Sequence, residues 1–455
     1  MATSARRSRT STAQMQSFWD CLRYFLTPQI WKQARQALRQ SIRWQAHPLI
    51  MVLLTMTWCC GDSLAERFET AKAFYVASYQ RKRRPGKTIE GFHKALARIP
   101  TRALRQVAAA LRQRLVQVFG KRLLVDGFVP LGCDGSRLNC PRTPQLERRL
   151  RSQRGRKQQQ PPMVWLTAFV HLSLGVLWSW RLGGPHANER QHLVKLLETL
   201  PKQALIVADA GYVGYPLLHK LQSAGRWFLI RLTSMSPLYV PDKNAIAGRS
   251  EGLAYYWPQE IQQQQQPPIA VRFFHFRARQ GRRFSHVWLI TNVLDGERLP
   301  RSTARKFYRW RWRNEGLFRT YKRTLGKVKL LSHTVVGVHR EAEGSLLAVQ
   351  LLLAQGALAL QFAGERANVL PSARHVLLEI RAEIRNVTGM YLGPRQRQTY
   401  LERLQNARQD RRRHRHNQVR RRWPNRKDHR YPRAPKILKM GTMLKELLAK
   451  VLSAA

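Results

Sequence analysis

Residues 204–232 read ALIVADAGYVGYPLLHKLQSAGRWFLIRL. An apolar run, ALIVAD at 204–209, ends in an acid; Gly211 and a short helical pattern follow, and WFLIRL at 227–232 is apolar again. Short apolar runs bounded by glycine and polar residues are strands, so the unit reads strand, helix, strand. Working outward, Asn188 is a good N-cap with Glu189 in the first turn, which predicts a helix from there to about 199. Before it, MVWLTAFVHLSLGVLWSWRL at 163–182 is β-like and is broken by Ser-Leu-Gly as a hairpin would be. LLVDGFVPLGCD at 123–134 is a further β-like run, in which Asp126-Gly127 reads as a hairpin turn. Strand, hairpin, helix, strand, helix, strand is an α/β sheet of mixed direction.

Farther out the texture changes twice. Residues 1–120 read as helical, with apolar positions at three-to-four spacing in LTPQIWKQARQALRQSI and RALRQVAAALRQRLVQVF. RKRRPGK at 81–87 and ERRLRSQRGRKQQQPP after residue 146 read as basic loops. On the other side, 236–299 is β-rich: IAVRFFHFRAR and SHVWLITNV are strands, and QQQQQ at 262–266 is a low-complexity loop. Helix returns at 301–325, and alternating polar and apolar residues suggest helix again in 366–405.

The chain has 455 residues, 81 Lys+Arg against 26 Asp+Glu, and a formal net charge of +55. Its length suggests two to four domains, and its 13 Trp, 13 Tyr and 16 Phe exclude wholesale disorder. So basic a chain calls for a polyanionic partner. Five cysteines without CxxC spacing (Cys21, Cys59, Cys60, Cys133 and Cys140) argue against a disulfide framework or a structural zinc, and for a reducing compartment. The N-terminal MATSARRSRTSTAQ has the bias of a transit peptide, but the whole chain shares that bias. The apolar runs 48–60 and 346–363 sit at or below the lower length for a membrane span, and the second holds three Gln and a Gly. Both are expected as buried helices of a soluble protein, the second packing on helix 301–325.

Where acids are scarce their positions inform. Residues 301–330 hold eleven Lys/Arg and one acid, Glu315. On a single helix at roughly 100° per residue, Tyr308, Arg311, Glu315 and Lys322 fall within about 60° of one another. Phe307, Trp310, Leu317, Phe318, Tyr321 and Leu325 make the apolar face beside them. An exposed Arg311–Glu315 pair, worth only about 0.3–0.5 kcal/mol, does not account for the alignment of Tyr308 and Lys322. Asp134 and Asp209 each end an apolar run beside small residues, a place that suits either a divalent cation or an Asx turn.

Taken together, Asp134, Asp209 and Glu315 resemble the acids of the DDE transposases of bacterial insertion sequences, and more narrowly the insertion-sequence-four group. That group's signature is Tyr, two residues, Arg, three residues, Glu, six residues, Lys; here it is complete as Tyr308, Arg311, Glu315 and Lys322. DGSRL at 134–138, DAGYVGY at 209–215 and LITNV before the helix match its surroundings. The resemblance covers roughly residues 120–340.

The resemblance implies an RNase H-like catalytic core in two parts, 121–235 and 301–365, interrupted by a β-strand insertion at 236–300. A helical DNA-binding domain at 1–120 would precede it, and a helical and basic C-terminal region at 366–455 would follow. Asp134, Asp209 and Glu315 would hold two Mg²⁺ ions, with Mn²⁺ as a substitute, for cutting the element's ends and joining them to target DNA. Arg311, Lys322 and Tyr308 would contact phosphates, while Trp312 matches a Trp common in the family and Trp288 one that stacks on a flipped base during hairpin formation. DNA is the implied partner, with a homodimer in the DNA complex whose contact is expected in 366–405, and the bacterial cytoplasm, at the nucleoid, the implied location. The run 411–440, with 13 Lys/Arg and one Asp, reads as a DNA-binding part. The alternatives are an RNase H-like nuclease without strand transfer and a DNA-binding protein derived from a transposase.

Overall fold

A computed structural model describes residues 17–37, 44–79, 84–151, 160–240, 250–280, 283–365, 369–389, 400–405 and 434–453. The readings of the N-terminal tail, of most of the loop after Arg151 and of 411–433 lie outside the described residues. The strands are β1 (Val129–Asn139), β2 (Met163–His171), β3 (Val176–Gly183), β4 (Ala204–Ala208) and β5 (Trp227–Arg231). They continue with β6 (Pro237–Val240), β7 (Glu251–Tyr256), β8 (Ile269–Gln280), β9 (Arg283–Thr291) and β10 (Lys436–Lys439). Helices α1 (Phe18–Phe25), α2 (Pro28–Ala37), α3 (Ala46–Trp58), α4 (Leu64–Ser78), α5 (Ile89–Arg98) and α6 (Thr101–Phe119) open the chain. Then come α7 (Pro144–Leu150), α8 (Glu189–Leu196), α9 (Tyr215–Ser223) and α10 (Gln259–Gln263). The last are α11 (Arg301–Trp310), α12 (Arg313–Arg319), α13 (Val335–Phe362), α14 (Ala373–Val387), α15 (Tyr400–Gln405) and α16 (Thr442–Ser453). The protein is thus mixed α/β.

The chain divides into two compact units: a sheet unit of 124–134, 188–312 and 411–455, and a helical unit of 1–123, 135–187 and 313–410. In the sheet unit the strand order is β10-β6-β7-β8-β9-β5-β4-β1. β1, β4 and β5 pair in parallel, as the opening strand-helix-strand reading requires of a crossover. The β-rich block then extends the same sheet, because β9 pairs antiparallel with β5 and β8, β7 and β6 follow. β10 adds parallel to β6 and falls within the basic run 411–440. Its exposed Lys436 and Lys439 suit the edge of a sheet. The QQQQQ stretch is only partly a loop: Gln262 and Gln263 belong to α10, whose Ile261 is buried.

The helical unit is built around α13. By length and composition this helix could cross a membrane, but 89% of its most apolar window is buried inside the protein. Its polar residues explain why it is a core helix. Gln350 Nε2 donates to the β3 carbonyls of Leu177 and Trp178, at 3.0 and 3.2 Å. Gln355 Oε1 accepts from Tyr400 of α15 at 2.9 Å. α3, also buried, lies close against it: a Cβ at Gly344 would stand 2.5 Å from Leu53. The β2–β3 hairpin forms as read, with its turn in LSLG. In that turn Leu174 N–H donates to Nδ1 of His171, so Nε2 carries the proton that reaches Leu123 O at 2.9 Å. Burial lowers the His171 pKa to about 4 and keeps the ring neutral.

Two buried glutamates on α13 differ in sign. Glu341 pairs with Lys327 at 2.7 Å and accepts the backbone N–H groups of Leu331 and Ser332. Burial would raise its pKa, but Lys327 and these donors outweigh burial and hold it below the ordinary carboxylate range. For Glu343 burial wins over the Trp180 hydrogen bond at 2.6 Å and over Arg105 and Arg340, and its pKa is raised. Glu341 therefore contributes stability above the unfolded carboxyl pKa, lost as pH falls through its folded value; Glu343 is strained when charged and relaxes as pH falls. In denaturant titrations near pH 7, Glu341→Gln is expected to cost about 3–5 kcal/mol by leaving Lys327 buried and unpaired. Glu343→Gln is expected to cost about 1 kcal/mol or less.

Candidate active site

In the sheet unit the parallel register sets Gly132 opposite Val207. Carried two residues on, it sets Asp134 opposite Asp209, on strands about 4.8 Å apart. The two acids that the sequence separates by 74 residues thus leave neighbouring strand ends side by side. Asp209 Oδ1 caps the turn Ala210–Tyr212 by accepting from Gly211 N–H at 2.9 Å, so it makes the Asx turn and still presents its carboxylate half-exposed. Gly211 must be small, since a Cβ there would meet Asp209 Oδ1 at 3.1 Å. Arg190 of α8 ties this loop by donating to Gly211 O at 2.9 Å.

Beneath the acids lies a buried thiol–phenol pair, Cys133 donating to Tyr212 Oη at 3.6 Å. Burial raises the Cys133 pKa far above the ordinary thiol range, and Asp134, Glu189 and Asp209 add to it, while the Tyr212 hydrogen bond opposes. Tyr212 is raised likewise, first by burial and then by Cys133 and Glu189. Glu189, read in the sequence only as a first-turn residue of α8, is therefore a third carboxylate within electrostatic reach of this spot. Its only signal in the sequence is its place after the N-cap Asn188, which accepts from Arg190 N–H. Among the described residues no group of three His, Cys, Asp or Glu side chains is arranged to hold an ion by itself.

Helix α11 is fixed from the Asp126-Gly127 turn. Val125 and Phe128 exchange backbone hydrogen bonds at 2.8 and 3.0 Å, and both turn residues have positive φ, 49° and 77°. Asp126 accepts from Thr303 Oγ1 at 2.6 Å and from Lys306 Nζ. Those bonds outweigh burial and lower its pKa. Phe128 packs edge-on against Phe307 at 6.3 Å. Near the end of this anchored helix the Tyr308 hydroxyl and Arg311 Nε are buried without a hydrogen-bond partner among the described residues. The Arg311 guanidinium lies 5.5 Å from the Tyr308 ring and 5.0 Å from that of Trp312, which is 60% exposed.

The single helix expected over 301–325 is not formed. α11 stops at Trp310, α12 runs over Arg313–Arg319, and Thr320–Thr324 is a π-turn closed by Leu325 N–H on Thr320 O. Tertiary bonds explain the breaks within the helical unit: Arg313 donates to Leu172 O and Ser173 O, and Tyr321, fully buried, bonds Ser345 of α13 at 2.7 Å. One helical wheel consequently does not carry all four signature residues. Tyr308 and Arg311 belong to the sheet unit; Glu315, exposed in the first turn of α12, and Lys322, in the π-turn, belong to the helical unit. Burial lowers the pKa of Lys322. Of the expected apolar face, Phe307, Leu317, Phe318, Tyr321 and Leu325 are buried and Trp310 is half-buried.

Trp288 lies directly across from His275 on the β8–β9 pair, and the two rings stack at 4.2 Å and 12°. His275 Nε2 and His286 Nδ1 are 2.8 Å apart, so one of these rings donates to the other. Burial, then His286 and Arg301, lower the pKa of His275, which leaves it neutral at pH 7. The indole is thus backed by a flat neutral ring and is half-exposed.

The unpartnered hydroxyl of Tyr308 gives a test of the site's character. An unsatisfied buried hydroxyl costs about 1–3 kcal/mol. Tyr308→Phe is expected to keep or raise the denaturation midpoint of the full chain. A fall equivalent to more than about 1 kcal/mol would show the hydroxyl to be a structural bond instead.

Residues 133–351 match the family described as transposase DDE domain. Among curated proteins no match is found. Among solved structures the chain is similar to a piggyBac transposase, seen by cryo-electron microscopy as a synaptic complex with hairpin DNA. That likeness has 10% identity and a TM-score of 0.43, and covers 86% of this chain and 85% of that one. The stretch 133–351, which takes in Asp134, Asp209 and Glu315, is thus similar to the transposase DDE domain.

Proposed function

We propose that the protein is a DNA transposase of the insertion-sequence-four type, which cuts the ends of its element and joins them to target DNA by metal-dependent phosphoryl transfer on an RNase H-like core. The observation that carries this reading is the pairing of β1 with β4, which brings Asp134 and Asp209 together inside the span that matches the transposase DDE domain. Two adjacent carboxylates fit Mg²⁺, which binds one or two such groups and completes its shell with water and substrate phosphate. Glu315 is the remaining acid of the set, and all three would hold the two ions. Bound there, such ions activate the attacking oxygen and offset charge on the leaving one.

The chain's own residues do the rest. Arg311, with an unbonded Nε in a buried setting, can bind a phosphate oxygen that satisfies it, and Tyr308 can donate its free hydroxyl beside it. A phosphate near Lys322 would oppose the lowering that burial imposes on its charge. Exposed Trp312 and the histidine-backed Trp288 offer aromatic faces to bases, and stacking of this kind can offset the few kcal/mol, roughly, of extruding one. The net charge of +55 serves DNA phosphates and makes binding steeply salt-dependent. Holding two DNA ends together requires a homodimer in the DNA complex.

Purified protein, its element's end DNA and Mg²⁺ provide the test. Asp134→Asn, Asp209→Asn and Glu315→Gln are each expected to lower cleavage at least about a thousandfold, some 4 kcal/mol of barrier, while end binding persists. Cleavage retained by any one variant removes that residue from the site. Cleavage by the wild-type chain without joining indicates a nuclease, and binding alone a non-catalytic DNA-binding protein. Trp288→Ala is expected to reduce hairpin-ended products at least tenfold relative to nicked ends on a denaturing gel. Hairpins formed at the wild-type rate exclude its stacking role.

A further inference from the structure

The helical unit holds a cavity of about 460 Å³ to which nothing above assigns a role. This volume lies in the range of small-molecule sites. Its walls are mainly apolar, from Leu53, Met56, Phe92, Leu96 and Leu331, on α3, α5 and the segment before α13. Three charged side chains border it: Arg67, Lys327 and Glu341. The last two satisfy each other at 2.7 Å, and the other oxygen of Glu341 is taken up by two backbone N–H groups. Arg67 differs. Its Nε donates to Gly61 O at 2.7 Å, but Nη1 is buried and has no hydrogen-bond partner among the described residues. His93, also on the wall, has a pKa lowered by burial and adds no charge at neutral pH.

We propose that this cavity is a binding site for a small monoanion with an apolar body, a carboxylate seated on Arg67. A buried guanidinium N–H left unmade is costly, and a carboxylate would convert it into a charge-assisted bond. The apolar walls need an apolar body to fill them. One unsatisfied cationic donor matches one negative charge. The site is separate from the residues assigned to DNA cleavage, so it stands or falls on its own.

Decanoate and decanol serve as matched probes, titrated into the full chain and read by calorimetry. Decanoate is expected to bind at least tenfold more tightly than decanol. Arg67→Met should weaken decanoate at least tenfold. Ala97→Trp, at an exposed position on the cavity rim where folding is not at risk, should block it. Arg298→Met, a cation of the sheet unit, should leave it unchanged. Equal binding of acid and alcohol, equal loss with Arg298→Met, or full affinity in Ala97→Trp would each overturn the proposal. Deoxyadenosine monophosphate binding more tightly than decanoate, and blocked by Ala97→Trp, would overturn the carboxylate assignment in favour of a nucleotide.

Discussion

Parallel pairing between β1 and β4 is the constraint on which the site depends. Parallel neighbours run their carboxyl ends in one direction, so residues that terminate them are delivered to a common edge. The paired residues end at Gly132 and Val207, and Asp134 and Asp209 each follow two residues beyond, at that edge. The strands themselves are wholly apolar before this point, Leu131 and Leu205–Ala208 being fully buried. Hydrophobic burial thus fixes the register, and the register fixes the carboxylates. Both faces of these strands are buried, so a slip by one residue would disturb the packing on either side, and the acids can be moved only at the expense of the core.

The protein also keeps its polar side chains under different constraints in different places. In the helical unit, Glu341, Gln350, Gln355 and Tyr321 are all bonded, and they join α13 to its neighbours. Bonds of this kind specify one packing of an otherwise uniform apolar helix. Tyr308 and Arg311 are buried with unmade bonds near the end of a helix that the Asp126 turn holds firmly. Two such unmade bonds on neighbouring side chains leave donors that a bound phosphate could satisfy.

Much of this was legible in the sequence. The strand, hairpin and helix order came from apolar runs and their punctuation, and the Asn188 cap and Asp126-Gly127 turn came from side-chain chemistry that acts locally. The identities of Asp134, Asp209 and the basic helices could be singled out because acids are so rare here. What escaped was tertiary. The break of the 301–325 helix follows from Arg313 and Tyr321 bonding to distant backbone and side chain, and period alone carries no trace of it. β10 escaped because KILK lies in a basic run, and only its partner β6 makes it a strand. Glu189 escaped because its relation to Asp134 exists only in three dimensions. The same is true of the bond left unmade on Arg67.

In the proposed site, Asp134 and Asp209 would share a divalent cation at the ends of β1 and β4. Iron(II) in place of Mg²⁺, with peroxide and ascorbate, cuts a polypeptide beside the bound ion. The expected result is backbone cleavage close to residues 134 and 209, competed by Mg²⁺ and lost together at both positions in Asp134→Asn. Cleavage at neither position, or at one that persists in that variant, would contradict it.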